Sequence, residues 1–346
     1  MEMFQYKGIE AVFDTWTTEL EEHMYIFSIL AIIINLVHIF VLTRKMMTSS
    51  AVTSLLIGIA VVDILSPIYY VKIGVRDLVF PGPCIPPRGY YETIFNWTIL
   101  ALRDNCRRCS TWFGLALAGI RMFSLKLAMQ KRFNFITEPP FGLKVIILAV
   151  LLSSAISIFY FFRYTVVPDP DWIFIPGCPP TSTIQYFVDE IDRDSKVRNN
   201  AREFHLLLTA ILEKIIPSLL FPIITVVLMC ELGKARKLVE DARKSSSSVR
   251  STEKINKLVI HMAITFIIIE FPIGVCKLIT ASQDSYEDAV IAESLTKIFN
   301  MIYVPMTATH CLICYKMSSQ YRDTVHHFLG IKKTTVNPSV SFVTSN

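Results

Sequence analysis

The chain has 346 residues, of which 52% are hydrophobic and only 18% are charged, and its net charge is +5. About a quarter of the residues of an ordinary soluble domain are charged, so this composition excludes a soluble globule and indicates a protein of the lipid bilayer. The basic residues lie in short clusters between apolar runs, which favours loops beside a membrane over a nucleic-acid-binding surface. The eight cysteines are spread along the chain, and we interpret them as neither a disulfide scaffold nor a zinc module.

Runs of apolar residues predict the spans of a membrane protein. A helix needs ~20 mostly apolar residues to cross the hydrocarbon. The least hydrophobic of these runs carries several charges between Arg103 and Arg108, and the fourth run is the most purely apolar. We predict an all-α bundle of seven transmembrane helices at about residues 24–43, 53–72, 93–127, 143–167, 204–230, 255–279 and 295–315.

The ends of the chain and the charges of its loops predict an orientation. Acidic residues precede the first span, whereas a signal peptide has a positive region there, so we interpret residues 1–23 as an extracellular tail. The loops on the opposite side are richer in Lys and Arg, and such loops stay in the cytoplasm. The bundle then occupies residues 24–316. Residues 317–346 are predicted to form a short amphipathic helix on the inner leaflet and a disordered tail.

Polar residues inside the apolar spans are candidates for function, because burying them in a membrane is costly. Asn35, Asp63 and Arg121 lie in the first three spans, and Pro217 and Pro272 lie in the fifth and sixth. Their placement resembles that of a rhodopsin-like G-protein-coupled receptor.

Three stretches narrow this resemblance to one group of receptors. They are LRDNCRRCSTWFGLALAGIR (residues 102–121), EFPIG (270–274) and MSSQYR after the last span (317–322). In detail they look like the nematode serpentine chemoreceptors of the srw class, which are themselves similar to FMRFamide-type peptide receptors. The resemblance covers all seven spans and the helix that follows. It implies a receptor of the plasma membrane, not an enzyme, that transmits an extracellular ligand to a heterotrimeric G protein in a chemosensory or neuropeptide role.

The resemblance assigns Arg121 to G-protein coupling, together with the basic residues Lys234, Arg236 and Lys237. Most such receptors have an acid before this arginine, but here the triplet is Ile120-Arg121-Met122. Glu253 is one candidate partner for Arg121 in the resting state, and a solvated glutamate at a helix end is the other interpretation of Glu253.

Two further positions differ from the usual pattern of such receptors: the aromatic switch residue of the sixth span and the end of the last span. Glu270 stands two residues before the proline of the sixth span, where a tryptophan is usual, and residues 310–314 replace the usual NPxxY pattern. Activation arguments that need those residues do not transfer to this chain.

Asp63 lies in the middle of the second span. By resemblance, Asp63 combines with Ser110 and with Asn35 as an allosteric sodium site, the one cofactor that we predict. The alternative is a protonated carboxyl group in a structural hydrogen-bond network.

Cys84 and Cys178 both lie in outer loops. The oxidising exterior favours a disulfide between them over two free thiols. Such a bridge would tie the second outer loop over the pocket.

The outer half of the bundle carries charges of both signs. At ~1.5 Å per residue, Arg103 stands about 27 Å above Arg121 on the third span. Asp104 and Arg108 are four residues apart, so an internal salt bridge is the alternative to a role in binding. We predict a ligand pocket formed by Arg103, Asp104, Arg107, Glu213, Glu270 and Lys277.

The mixed charges favour a peptide ligand over other small molecules. A monoamine fits poorly, because Arg103 occupies the region where an aspartate would be needed. The alternative function is an ion channel or transporter that uses the intramembrane charges as its path. The odd number of spans and the lack of an internal repeat argue against that alternative.

Overall fold

The computed structural model describes most of the chain. Its described residues are 2–45, 47, 50–80, 82, 84–126, 131–170, 178, 184–190, 204–205, 207–241, 260–261, 263–282 and 286–330. The predicted disordered tail after residue 330, and Glu253, lie outside them.

Helices dominate the described residues. In chain order they are α1 (Glu2–Leu42), α2 (Ala51–Leu65), α3 (Ile68–Val79), α4 (Tyr90–Lys126), α5 (Pro139–Arg163), α6 (Ile216–Asp241), α7 (Phe271–Ser282), α8 (Tyr286–Thr307), α9 (Thr309–Met317) and α10 (Ser319–Phe328). A 3₁₀ turn at Lys131–Thr137 precedes α5, and π-helical turns at Ala210–Ile215 and Phe266–Glu270 precede α6 and α7.

Six helical segments among the described residues are long and apolar enough to cross a membrane. They are Glu19–Leu42, Ala51–Val79, Pro139–Phe159, Leu207–Glu231, Ala263–Ser282 and Asp288–Lys316. They match six of the seven predicted spans. The third predicted span is α4, a helix of 37 residues. It is absent from the six because its outer half carries so many charges.

The ends of two predicted spans differ from the observed helices. α1 begins at Glu2, so the predicted N-terminal tail continues the first span as helix. The fourth predicted span ran to residue 167, and this boundary is wrong, because α5 ends at Arg163. Residues Tyr164–Pro168 form strand β1, whose apolar, β-branched sequence YTVVP has the hydropathy of a span and the conformation of a strand.

Prolines interrupt the helices at defined places. Pro67 separates α2 from α3, and Pro217 and Pro272 each follow a π-helical turn by two residues. A proline has no N–H to donate and its ring clashes with the carbonyl four residues earlier, so the helix widens or breaks before it.

The main apolar core lies between α2, α4 and α6. Leu55 and Ile59 of α2 pack in one cluster with Phe113 and Leu117 of α4 and Phe221 of α6. α5 joins this core at one edge, where a Cβ on Gly142 would stand 2.6 Å from the carbonyl oxygen of Ala51. α4 is therefore the central helix of the bundle, and both of its ends can be held in place by its neighbours.

A small two-stranded sheet lies at the end of the bundle where α4 begins, which we call the outer end after its predicted orientation. Strand β1 pairs antiparallel with β2 (Tyr186–Glu190), with Tyr164 opposite Glu190 and Pro168 opposite Tyr186. The Thr93 hydroxyl of α4 donates a 3.1 Å hydrogen bond to the Tyr186 carbonyl. The connection between α5 and α6 is thereby fixed to the start of α4.

Candidate functional site

The two π-helical turns bring three charged side chains into the interior. Glu213 and Lys214 lie in the turn before α6, and Glu270 ends the turn before α7. All three side chains are buried, Glu270 to 1% exposure. A π turn inserts one extra residue into a helix and occurs often at functional sites.

The first buried network is built around Glu270. Its carboxylate binds Arg107 at 3.1 Å through one oxygen and the Lys214 ammonium through the other. Arg107 also donates to the side-chain carbonyl of Asn300, and its guanidinium lies 4.5 Å from the ring centre of Tyr303. The network therefore joins α4, both π turns and α8.

The second buried network is built around Arg108. Its guanidinium pairs with Glu213 and donates hydrogen bonds to the hydroxyls of Ser153, at 2.7 Å, and Ser157, at 2.6 Å. Ser153 and Ser157 are four residues apart and so share one face of α5. This network joins α4 to α5 and to the π turn before α6.

The alternative that Asp104 forms a salt bridge with Arg108 is wrong. Asp104 pairs instead with its neighbour Arg103, at 2.9 Å, and the Arg103 guanidinium lies 4.8 Å from the ring centre of Tyr69. Arg108 is turned toward α5 and the fifth span, where a carboxylate and two hydroxyls satisfy it. The structure also brings Glu270 to Arg107 rather than to Arg103.

A cavity of about 180 Å³ lies at the outer end of the bundle, next to these networks. Four charged residues line it, two of each sign: Asp104, Arg108, Glu213 and Lys277. Its remaining lining includes Tyr164 of strand β1. Asp104, Glu213 and Lys277 were predicted to bind ligand, whereas Arg107 and Glu270 take part in the first buried network.

The sequence analysis missed several partners of the buried charges. Arg108 contacts Ser153 and Ser157. Arg107 contacts Asn300 and Tyr303. The serine pair carried a usable signal, since two hydroxyls at a spacing of four stand on an otherwise apolar span. Asn300 and Tyr303 gave no such signal, because the sequence pattern does not distinguish them from ordinary polar residues at a helix interface.

Cys84 and Cys178 are joined in a disulfide, with their Cα atoms 5.3 Å apart. The bridge attaches Cys178, which lies between the two strands in the sequence, to the segment before α4. The hydrogen bond between Thr93 and Tyr186 joins the second strand to the same part of the fold.

Asp63 is buried to 1% exposure in the middle of α2. One carboxylate oxygen accepts a 3.0 Å hydrogen bond from Ser110, and the other lies 3.3 Å from His310 Nδ1. That second oxygen has no partner with hydrogen-bond geometry among the described residues. Asn35 donates its amide to the Ala31 carbonyl of its own helix at 3.0 Å, so its participation in a site at Asp63 stays a prediction.

Arg121 lies near the other end of α4. It forms no ion pair with any described residue, and its Nε atom is buried without a hydrogen-bond partner there. Lys234 is exposed on α6 and pairs with Glu231 at 2.9 Å, and this hydrogen bond raises the pKa of Lys234. Arg236 and Lys237 lie in the same helix, but their side chains are outside the described residues.

The fold is that of a multi-pass membrane protein. Apolar helices surround a central helix with buried, mutually paired charges at one end and an arginine at the other. The family profile described as "Serpentine type 7TM GPCR chemoreceptor Srw" matches residues 22–332. The chain belongs to this family of serpentine chemoreceptors, as its sequence predicts, and it is a membrane receptor rather than an enzyme. A comparison with curated proteins gives no match.

Proposed function

We propose that this chemoreceptor lies in the plasma membrane with its N-terminus outside, binds an extracellular peptide and activates a heterotrimeric G protein. One observation carries the proposal: α4 runs from the charged cavity at Asp104 to Arg121, a rise of about 26 Å. A single rigid helix therefore links a candidate ligand pocket to a candidate coupling site.

We propose that α4 is the seventh membrane-spanning helix despite its charges. Arg107 and Arg108 are both buried and both paired with carboxylates from other helices. Charged groups within membranes are tolerated where they face the bundle interior and pair with one another. These two charges are thus accommodated inside the bundle.

The charges of the cavity support a peptide ligand. A peptide offers a cationic or anionic end group and backbone amides, and the lining provides two acids and two bases. The cavity would take one end of the peptide, and the rest would lie against the nearby β1 strand. A small molecule with both charges is the alternative ligand class.

Ligand binding would act by shifting the populations of two conformations. Lys214 and Glu270 hold the fifth and sixth spans together beside the cavity. A ligand that binds Glu213 or Lys277, which line the cavity on the same two spans, would change how these spans pack. Movement of their inner ends would then open Arg121 to the G protein, where its guanidinium can bind carbonyls at a partner helix end.

The test is Arg121→Ala in the full-length chain, expressed with a promiscuous G protein and challenged with pools of amidated peptides and of small molecules. We expect the variant to bind ligand like the wild type and to lose signalling at matched surface levels. Arg132→Ala, an exposed arginine in the 3₁₀ turn at the same end, is the control and should signal normally. Normal signalling by Arg121→Ala would contradict the coupling role, and a response to small molecules alone would contradict the peptide ligand.

The same assay separates the alternative function. An ion channel or transporter would give a ligand-evoked current that persists when G-protein signalling is blocked. We expect no such current, because the buried charges of α4 are paired into compact networks rather than lining a continuous path.

We also propose that Asp63 and Ser110 hold a sodium ion. A buried carboxylate oxygen without a hydrogen-bond partner and an adjacent hydroxyl are oxygen ligands of the kind a hard cation prefers. The nearby imidazole of His310 would compete with the sodium ion for the same Asp63 oxygen. Asp63→Asn should abolish any dependence of agonist affinity on sodium, measured against potassium at equal ionic strength. A wild-type affinity that is the same in both salts would favour the structural hydrogen-bond network instead.

A further inference from the structure

A second cavity lies at the opposite end of the bundle from the ligand pocket, between α1 and α10. It measures about 620 Å³ and lies beside the turn that follows α1. We call it the α1–α10 cavity; its lining residues are Phe40, Val41, Thr43, Arg44, Lys45, Thr324, His327 and Phe328.

The walls of the α1–α10 cavity are held in place by contacts deeper in the bundle. The buried Tyr321 of α10 has its hydroxyl 2.9 Å from His38 Nδ1 of α1 and 3.4 Å from the Cys311 sulfur of α9. Burial raises the pKa of the Tyr321 hydroxyl, so this group stays protonated and able to donate. These contacts fix the spacing between α1 and α10, and so they define the cavity.

The lining is basic on one side and apolar on the other. Arg44, Lys45 and His327 are its titratable side chains, and none of the lining residues is acidic. The Arg44 guanidinium lies 3.8 Å from the ring centre of Phe40, which in turn packs edge-on against Phe328 at 4.8 Å. The cavity thus combines cations with a pair of aromatic rings.

The apolar side of the cavity continues onto an exposed apolar surface. Phe328 and Leu329 are 60% and 61% exposed at the end of α10. Exposed apolar residues beside a basic cluster are typical of segments that lie in the interface of a membrane. The cavity therefore combines a basic lining with an adjoining apolar surface of the kind that contacts a bilayer.

We propose that the α1–α10 cavity binds an anionic phospholipid, with the headgroup phosphate on Arg44, Lys45 and His327 and an acyl chain along Phe40 and Phe328. Arginine and lysine bind phosphate through charge-assisted hydrogen bonds, and the cytoplasmic leaflet is the one that carries anionic lipid. The proposal rests on the orientation proposed above, which places this end of the bundle at that leaflet.

The experiment uses the full-length receptor in nanodiscs of phosphatidylcholine that contain a few per cent spin-labelled phosphatidylserine. The measurement is the fraction of labelled lipid immobilised by the protein, compared with spin-labelled phosphatidylcholine. We expect the wild type to retain phosphatidylserine preferentially, and the double variant Arg44→Glu/Lys45→Glu to lose about tenfold or more of that preference.

A charge-matched control separates this site from general attraction between a basic surface and an acidic membrane. Arg132→Glu/Lys144→Glu reverses two exposed charges at the same end of the bundle, outside the cavity, and should keep the preference. An equal loss in both double variants, or no preference in the wild type, would overturn the proposal. Soluble phosphoserine should not displace the labelled lipid, and displacement would show that the site takes a free phosphate instead.

The readout needs neither an agonist nor a G protein. A receptor that retains phosphatidylserine as expected but gives no signal would contradict the proposed function alone. Phe328→Ala provides a milder variant that keeps the charges, and it should weaken retention of both lipids without removing the preference for phosphatidylserine.

Discussion

The two ends of α4 hold their arginines in opposite ways. At the outer end, Arg107 and Arg108 are buried and each is paired with a carboxylate from another helix. At the inner end, Arg121 forms no ion pair with a described residue. The charges at the first end are neutralised inside the protein, and the proposed function assigns the arginine at the second end to a partner. Removing partners at the outer end should therefore affect stability, whereas removing Arg121 should affect signalling.

The largest effect is expected for Glu270→Gln. The substitution leaves Arg107 and Lys214 buried beside an uncharged amide, and breaking a buried ion pair in this way costs ~3–5 kcal/mol. Thermal unfolding of the purified receptor in detergent should show a large loss of stability. Glu231→Gln breaks the exposed pair with Lys234, which solvent screens, and should leave the stability almost unchanged. Similar losses of stability in the two variants would show that the charge of Glu270 contributes no more to stability than an exposed ion pair does.

An intermediate effect is expected for Ser153→Ala. The change removes a hydroxyl that accepts a 2.7 Å hydrogen bond from the Arg108 guanidinium. Hydrogen bonds to charged groups contribute about 1.5–3 kcal/mol, and Arg108 retains Glu213 and Ser157. The same unfolding assay should show a loss in this range. A loss as large as that of Glu270→Gln would contradict this ranking and show that one hydroxyl of the second network matters as much to stability as the central carboxylate of the first.

The smallest effect on stability is expected for Arg121→Ala. Since this arginine has no ion-pair partner among the described residues, its removal should change the free energy of unfolding by about 1 kcal/mol, the typical cost of a point mutation. The unfolding curve should lie close to that of the wild type while signalling is lost. A destabilised Arg121→Ala receptor would reveal an internal partner for the arginine and remove the contrast between the two ends.

The positions of the spans could be predicted from the sequence, because the hydrocarbon requires long apolar runs. The second predicted span, 53–72, falls within the observed Ala51–Val79. The exceptions have a local cause. α4 carries charges that hydropathy counts against a span, and residues 164–168 are apolar enough to extend the fourth span although they form a strand.

The partners of the buried charges could not be predicted in the same way. Glu270 binds Arg107 and not Arg103 because of how α4 and the sixth span are rotated about their axes, and a one-dimensional pattern does not fix that rotation. The π turns determine part of this rotation, and the only sequence signal for irregular backbone there was the pair of prolines at 217 and 272. The charged residues were therefore recognised as a group, while several of their contacts were assigned wrongly or missed.

The ion pair between Lys214 and Glu270 connects two helices that each contain one extra residue. Converting a π turn to regular α-helix would rotate the residues on one side of it by about 100° relative to the other. If only the turn before α6 relaxed, Lys214 would leave the face that meets Glu270, and the same holds in reverse. The ion pair therefore opposes the relaxation of either turn by itself.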